Sequence, residues 1–258
     1  MARTVKTFIF VSTFAAALSA QVVPTPERLL GDGISVRGGW GHLAIRDDYI
    51  SQEVYAGSLP YFEVNWLHSD KSSAHRLALE YRSASAIGNH NVSAQITQAV
   101  LKLDYLYSTG TFGLLGRTVA SYVGPSTDFY IYSRQQNIAN GGLASFNANS
   151  FAAFLSLGIN STLVLPLESS FSVEGSGSLR LLSFGGRLTD FENKNEKSVK
   201  LTSVLSGRCG DAELLLRYNL TNDLLVKAGY RFEICQSSSW DYLLSVSDNL
   251  IVVVTYGF

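Results

Sequence analysis

The reactive residues of this 258-residue chain are few: four histidines and two cysteines. His42 precedes Asp47 and Asp48, and His90 follows in a later polar stretch. An imidazole beside a carboxylate could serve as a general acid–base pair, provided the two groups come within about 2.6–3.2 Å. No Asp-x-Asp or Asp-x-His pairing falls on facing strands, so Asp47 and Asp48 read as solvated loop residues. Ser73 and His75 are two apart, which suggests a hydroxyl and its base. They flank the turn-like SDKSS (69–73), however, at the end of the chain's short connections. Catalytic residues: none are expected.

Cys209 and Cys235 carry a sharper signal. Each lies thirteen residues from Asn222, the centre of the short turn TND (221–223). A hairpin pivoting there sets them opposite each other, within disulfide reach at a non-hydrogen-bonded position. The same register opposes Asp211 to Glu233, Glu213 to Arg231 and Arg217 to Lys227. Two of these pairs carry like charges and need counter-charges from other strands. Two cysteines without a nearby histidine give too few ligands for a metal. No metal and no cofactor are expected.

Residues 1–20 (MARTVKTFIFVSTFAAALSA) have a basic start at Arg3 and Lys6, an apolar stretch and small residues near position 20. This is the pattern of a secretory signal peptide, and an exported chain meets conditions that allow the disulfide. Residues 21–32 read as an irregular linker broken by Pro and Gly. From 33 to 258 the dominant period is two, the period of a β-strand. Ten segments emerge: 34–44, 59–67, 75–86, 96–107, 112–123, 150–164, 170–184, 209–220, 224–236 and 249–258. Short turns are expected at 69–73, 108–111, 166–169 and 221–223. Longer polar loops are expected at 45–58, 87–95, 124–149, 185–208 and 237–248. Short turns at one end and long loops at the other are the plan of a transmembrane barrel, and the strands suit the ~9–11 residues of a tilted crossing.

The segments have two faces. Leu224, Val226, Ala228, Tyr230, Phe232 and Ile234 alternate with Leu225, Lys227, Gly229, Arg231 and Glu233. Leu77, Leu79 and Tyr81 alternate with Arg76, Glu80 and Arg82. Phe171, Val173, Leu179 and Leu181 oppose Glu174 and Arg180. Sixteen charges lie within the segments: Arg37, Glu63, Arg76, Glu80, Arg82, Lys102, Asp104, Arg117, Glu174, Arg180, Asp211, Glu213, Arg217, Lys227, Arg231 and Glu233. In every segment with two or more, they share one parity. Only 16% of the chain is charged, against ~25% in ordinary soluble domains, and the net charge of −1 offers no field for nucleic acid. Alternation and composition fit a soluble sandwich equally well, with its apolar face inward. The signal peptide, the strand lengths, the loop asymmetry and the terminal Phe258 favour an inverted barrel, apolar toward lipid and ionic toward an enclosed lumen. A sheet in lipid must close, because each unpaired edge group costs several kcal/mol. Nine basic and seven acidic lumen charges nearly balance, as in a salt-bridged plug.

The signal peptide, the ten alternating strands and the closing VVVTYGF together resemble the outer-membrane β-barrel proteins of diderm bacteria. The resemblance implies a closed antiparallel up-and-down barrel with periplasmic turns and extracellular loops. It implies an assembly signal at Phe258, Tyr256, Val254 and Val252, read by the barrel-insertion machinery, with outer-membrane lipid as the other partner. The stretch RDDYISQEVYAGSLPYF (46–62) is similar to uncharacterised families of this class and implies no activity. Ten-stranded relatives include omptin proteases, and other outer-membrane barrels hydrolyse lipid A with a His–Ser arrangement. Ser73 and His75 stand on the wrong side for that substrate. The expected function is a non-enzymatic structural or ligand-binding barrel acting through its extracellular loops. The Tyr- and Asn-rich stretch DFYIYSRQQNIANGG (128–142) suits adhesive contact. The alternative is a narrow passive, porin-like channel, with an enzyme a distant third.

Overall fold

The computed structural model describes residues 32–47, 51–70, 72–89, 92–138, 146–168, 170–189, 198–203, 207–237 and 243–257. The signal peptide, most of the linker, Asp48, His90 and Phe258 lie outside the described residues. The strands are β1 (Gly33–Asp47), β2 (Ser51–Ser69), β3 (Ser73–Asn89), β4 (Val92–Leu114), β5 (Arg117–Ile138), β6 (Phe146–Pro166), β7 (Phe171–Thr189), β8 (Ser198–Ser203), β9 (Gly207–Asn219), β10 (Leu224–Ser237) and β11 (Leu243–Gly257). Each neighbouring pair is antiparallel. The β1–β11 and β6–β7 pairings close the wall. β8 pairs with the upper part of β7 and β9 with the lower part, so together they complete one stave. The result is a closed ten-stave barrel, as the alternation predicts.

The staves are longer than the sequence suggested. β4, β5 and β6 run 23, 22 and 21 residues. Most of the expected loop 124–149 is strand, because the polar residues there continue the alternation instead of ending it. The expected loops at 45–58, 87–95, 185–208 and 237–248 are shortened for the same reason. The turn expected at 108–111 is also displaced. Gly110, at φ 107°, sits in a bulge of β4, and the chain reverses at Leu115 and Gly116, with φ of 52° and 75°. Two consecutive left-handed residues match the twist of a two-residue hairpin.

The apolar parity faces outward. Leu214 is 61% exposed and Leu250 69%, with Val36, Phe62, Leu79, Leu103, Leu157, Leu216 and Val254 beside them. A water-soluble sheet would bury this face, whereas a lipid-spanning barrel presents it. At its turn end the belt carries Trp66, Tyr107, Phe171, Tyr218 and Tyr256, the aromatic collar favoured at a membrane interface. His68 and His75 belong to that outward collar; the His75 ring packs edge-on against Tyr105 at 4.1 Å. The Asp70 carboxylate caps the β2–β3 turn, accepting the backbone N–H groups of Ser72 and Ser73 at 2.9 and 2.8 Å. Those hydrogen bonds hold its pKa at about 2.

The β9–β10 hairpin has the register its pivot predicts. Cys209 faces Cys235, Asp211 faces Glu233, Glu213 faces Arg231 and Arg217 faces Lys227. The cysteines are joined in a disulfide with Cα atoms 4.0 Å apart. Chain-entropy arguments assign a closed loop of this size about 3 kcal/mol. Cys209→Ser with Cys235→Ser should lower the unfolding free energy by up to that amount without changing the register. Urea unfolding of both forms, with and without reductant, measures it. A disulfide form no more stable than the serine variant in non-reducing urea would contradict the expectation.

Candidate functional site

The polar parity forms an ionic layer across the middle of the lumen, centred on Arg231. Its guanidinium, 3% exposed as a residue, donates from Nη1 to Glu80 at 2.9 Å and to the Tyr61 hydroxyl at 2.9 Å. Nη2 donates to Glu233 at 3.3 Å. Arg82 bridges the same two carboxylates, reaching Glu233 at 2.6 Å and pairing closely with Glu80. Arg37 spans Glu213 at 2.7 Å and Glu63 at 3.4 Å. The Tyr61 hydroxyl donates to Glu63, and both Arg82 and Arg231 lie over its ring, 5.3 and 5.5 Å from the centroid. Tyr61 fits because its neighbour on β1 is Gly39. A Cβ there would come within 2.7 Å of Ile251 and 3.2 Å of Tyr61.

The like-charge pairs of the β9–β10 hairpin find their counter-charges on other strands. Lys102 of β4 reaches Asp211 at 3.2 Å, and Ser178 of β7 also donates to Asp211. Glu233 is held by Arg82 and Arg231, and Lys227 by Glu174 of β7 at 2.5 Å. Arg76 and Asp104 form a separate pair, with contacts of 2.7 and 2.5 Å. Arg217 donates from Nε to Asn219 at 3.1 Å.

Four positions depart from the sequence reading. Arg117 is outside this layer: it is exposed beside the β4–β5 turn and donates to the Leu167 carbonyl. Its strand segment held no second charge to fix a parity, and the displaced turn put it at the wrong height. Leu181 does not continue the apolar row. The register steps from Gly158↔Arg180 to Leu157↔Leu182, and above that bulge the outward parity of β7 switches to Leu182 and Phe184. Asp128 and Arg134, both on β5 in the expected loop, are buried lumen residues that composition concealed. Asp128 accepts from Arg180 Nε at 2.5 Å, and Arg134, 0% exposed, lies 4.2 Å above the Tyr55 ring.

Apolar side chains bound the ionic layer above and below. On the loop side, Leu43, Ile45, Tyr55, Leu59, Ile96 and Tyr132 pack together, with Tyr130 and Phe154 against them. On the turn side, Ala74, Leu106, Ala120, Tyr122 and Val164 pack with Leu67. The charges are thus enclosed, and enclosed charges persist only when paired. Among the described residues no group of three or more His, Cys, Asp or Glu side chains is arranged to hold a metal ion.

The candidate acid–base residues do not converge on this layer. His42 points outward from β1, where its backbone N–H donates to Asp248 at 3.3 Å. Ser73 and His75 are at the turn end, Ser73 bound to Asp70 and His75 within the outer collar. Val252, Val254 and Tyr256 of the closing strand project outward from β11.

No protein-family model matches the chain, and no curated protein matches it. Solved structures do. The outer membrane protease OmpT from Escherichia coli aligns with a TM-score of 0.51 and 9% identity over 88% of this chain and 97% of that one. The translocator domain of the autotransporter NalP from Neisseria meningitidis aligns with a TM-score of 0.51 and 12% identity over 88% and 89%. The fold is that of the bacterial outer-membrane β-barrels. With its apolar exterior and aromatic collar, such a barrel is built for the outer membrane. Its short turns then face the periplasm and the opposite end of the barrel the exterior.

Proposed function

We propose that this chain is a non-enzymatic outer-membrane barrel that acts through its extracellular connections on a ligand or partner, its lumen sealed. The observation that carries this reading is the layered interior: an ion-paired middle enclosed between two apolar clusters. An ion crossing it would have to leave water twice, at apolar constrictions that favour dewetting. The outward face supports a role outside the membrane. Above the lipid belt it turns polar at His42, Ser58, Thr97 and Gln135, while β2 to β7 continue upward. Those strands lift the connections clear of the bilayer.

A narrow channel is the second reading, and buried carboxamides favour it. Asn65 and Asn249 have side-chain nitrogens and oxygens with no direct hydrogen-bond partner, as does the oxygen of Asn160. Such groups are ordinarily hydrated, and a file of water is the beginning of a path. Planar-bilayer recordings separate the two readings. The sealed barrel gives no discrete steps, while replacing Leu43, Tyr55 and Leu59 with alanine opens it. Discrete steps in the unaltered protein that change on substitution of Lys102 or Asp211 would establish the channel instead. Incubation of the folded barrel with peptide and lipopolysaccharide substrates should yield no cleavage.

A further inference from the structure

At the turn end the β4–β5 hairpin projects beyond its neighbours. β3 begins at Ser73, opposite Tyr107, and the Ser72 carbonyl accepts the Ser108 N–H at 2.7 Å. From Thr109 to Leu114, β4 has no ladder partner on that side among the described residues, and β5 pairs with β6 only from Ala120 onward. The turn at Leu115 and Gly116 closes on Leu114 and Arg117, a pair that a two-residue turn joins by hydrogen bonds. Bonded and non-bonded pairs alternate along an antiparallel ladder. Thr111 and Gly113 therefore direct their N–H and C=O groups away from β5, onto the open edge. Gly113 does nothing to shield it: a Cβ there would meet no atom within 4 Å. The edge ends in two exposed leucines, Leu114 at 47% and Leu115 at 89%. A bare strand edge with an apolar end invites stray pairing unless something covers it.

We propose that the chain's own N-terminal segment covers this edge, residues 22–28 adding one antiparallel strand beside Thr111 and Gly113. The entry to β1 is aimed that way. Asp32, immediately before β1, accepts the Ser69 backbone N–H at 2.5 Å and lies 3.5 Å from His68 Nδ1. Those contacts hold it against the lower end of β2, the strand between β1 and β3. A segment that leads into β1 from beyond the turns runs opposite to β4, as antiparallel pairing requires. Residues 21–31 span up to ~36 Å when extended. The open edge is about 20–30 Å away, two strand spacings across and the length of the hairpin along. The sequence also fits an edge strand. Pro24 and Pro26 are two apart and share one side, so both missing N–H groups fall on the outer side, where an edge strand tolerates proline. Thr25 and Glu27 then bond β4. A second barrel in the same membrane would offer its β4 in parallel, the weaker pairing. The added strand does not depend on what the extracellular connections bind.

Hydrogen exchange of the folded full chain in nanodiscs, read by mass spectrometry at the amides of Thr111 and Gly113, tests the proposal. Both amides should exchange about tenfold more slowly than in a variant carrying Thr25→Pro and Glu27→Pro, the scale of one hydrogen bond. Pro24→Ala with Pro26→Ala should leave the protection in place, and Asp32→Ala should weaken it. All these substitutions lie before β1, and a heat-dependent gel shift checks that each variant is folded. Fast exchange at 111 and 113 in the unaltered chain would overturn the proposal, as would slow exchange indifferent to the two added prolines. Slow exchange that appears only at high protein concentration would overturn it in favour of a second copy. Slow exchange that appears only on adding a periplasmic extract would overturn it in favour of another protein.

Discussion

Replacing Arg231 with alanine is expected to destabilise the barrel by about 3–5 kcal/mol, the cost of removing one partner from a buried ion network. Arg231 contacts Glu63, Glu80 and Glu233, and Tyr61 shares its guanidinium. Truncation leaves three enclosed carboxylates around Arg37 and Arg82, which already have partners of their own. The loss is one of charge more than of volume. Arg231→Met should therefore cost nearly as much, and adding Glu80→Gln and Glu233→Gln to it should restore a large part. Urea unfolding in phospholipid vesicles, followed by the fluorescence of Trp40 and Trp66 on the outer face, measures all three. A cost below about 1 kcal/mol for Arg231→Ala would mean that water reaches the network freely, which the apolar clusters should prevent.

An arginine on the outer belt tests the other side of the wall. Leu216→Arg should cost about 2–4 kcal/mol, the penalty for a cation near the bilayer midplane. Tyr218→Arg, one step nearer the turn end on the same face, should cost about 0–1 kcal/mol, because its guanidinium reaches the interface. The contrast between the two variants is more informative than either alone. In a water-soluble barrel both positions would face solvent and both changes would be nearly neutral. Equal, small effects at 216 and 218 in vesicles would therefore contradict a lipid-facing β9. Leu215, between them in sequence, points into the lumen beside Tyr61 and Ile251 and belongs to a different environment.

Much of this was legible in the sequence because a period of two is a local signal. It gave the ten staves, the parity of the ionic face and the β9–β10 register, the last because a two-fold pivot at Asn222 aligns two cysteines. Composition was the weaker guide. Asp128, Tyr130, Tyr132 and Arg134 share one parity opposite Phe129 and Ile131, so the same alternation marked them as strand. The abundance of Tyr, Gln and Asn around them read as loop. Bulges were invisible for a different reason. One extra residue at Leu181 or near Gly110 reverses every face beyond it, and no local pattern marks where the slip occurs. The partners of the lumen charges were out of reach as well. They depend on the stagger between staves, which no single strand encodes.

That dependence bears on how the wall is assembled. Arg37 and Glu213 are 176 residues apart, Arg82 and Glu233 are 151 apart, and Lys102 and Asp211 are 109 apart. While the first and last staves are separate, each of these groups faces an unfinished cavity. A seam joined two residues out of step would keep its ladder bonds and its greasy exterior yet mismatch most of the ions within. The interior salt network thus works as a proofreading device, rewarding only the closure in which every cation finds the anion opposite it.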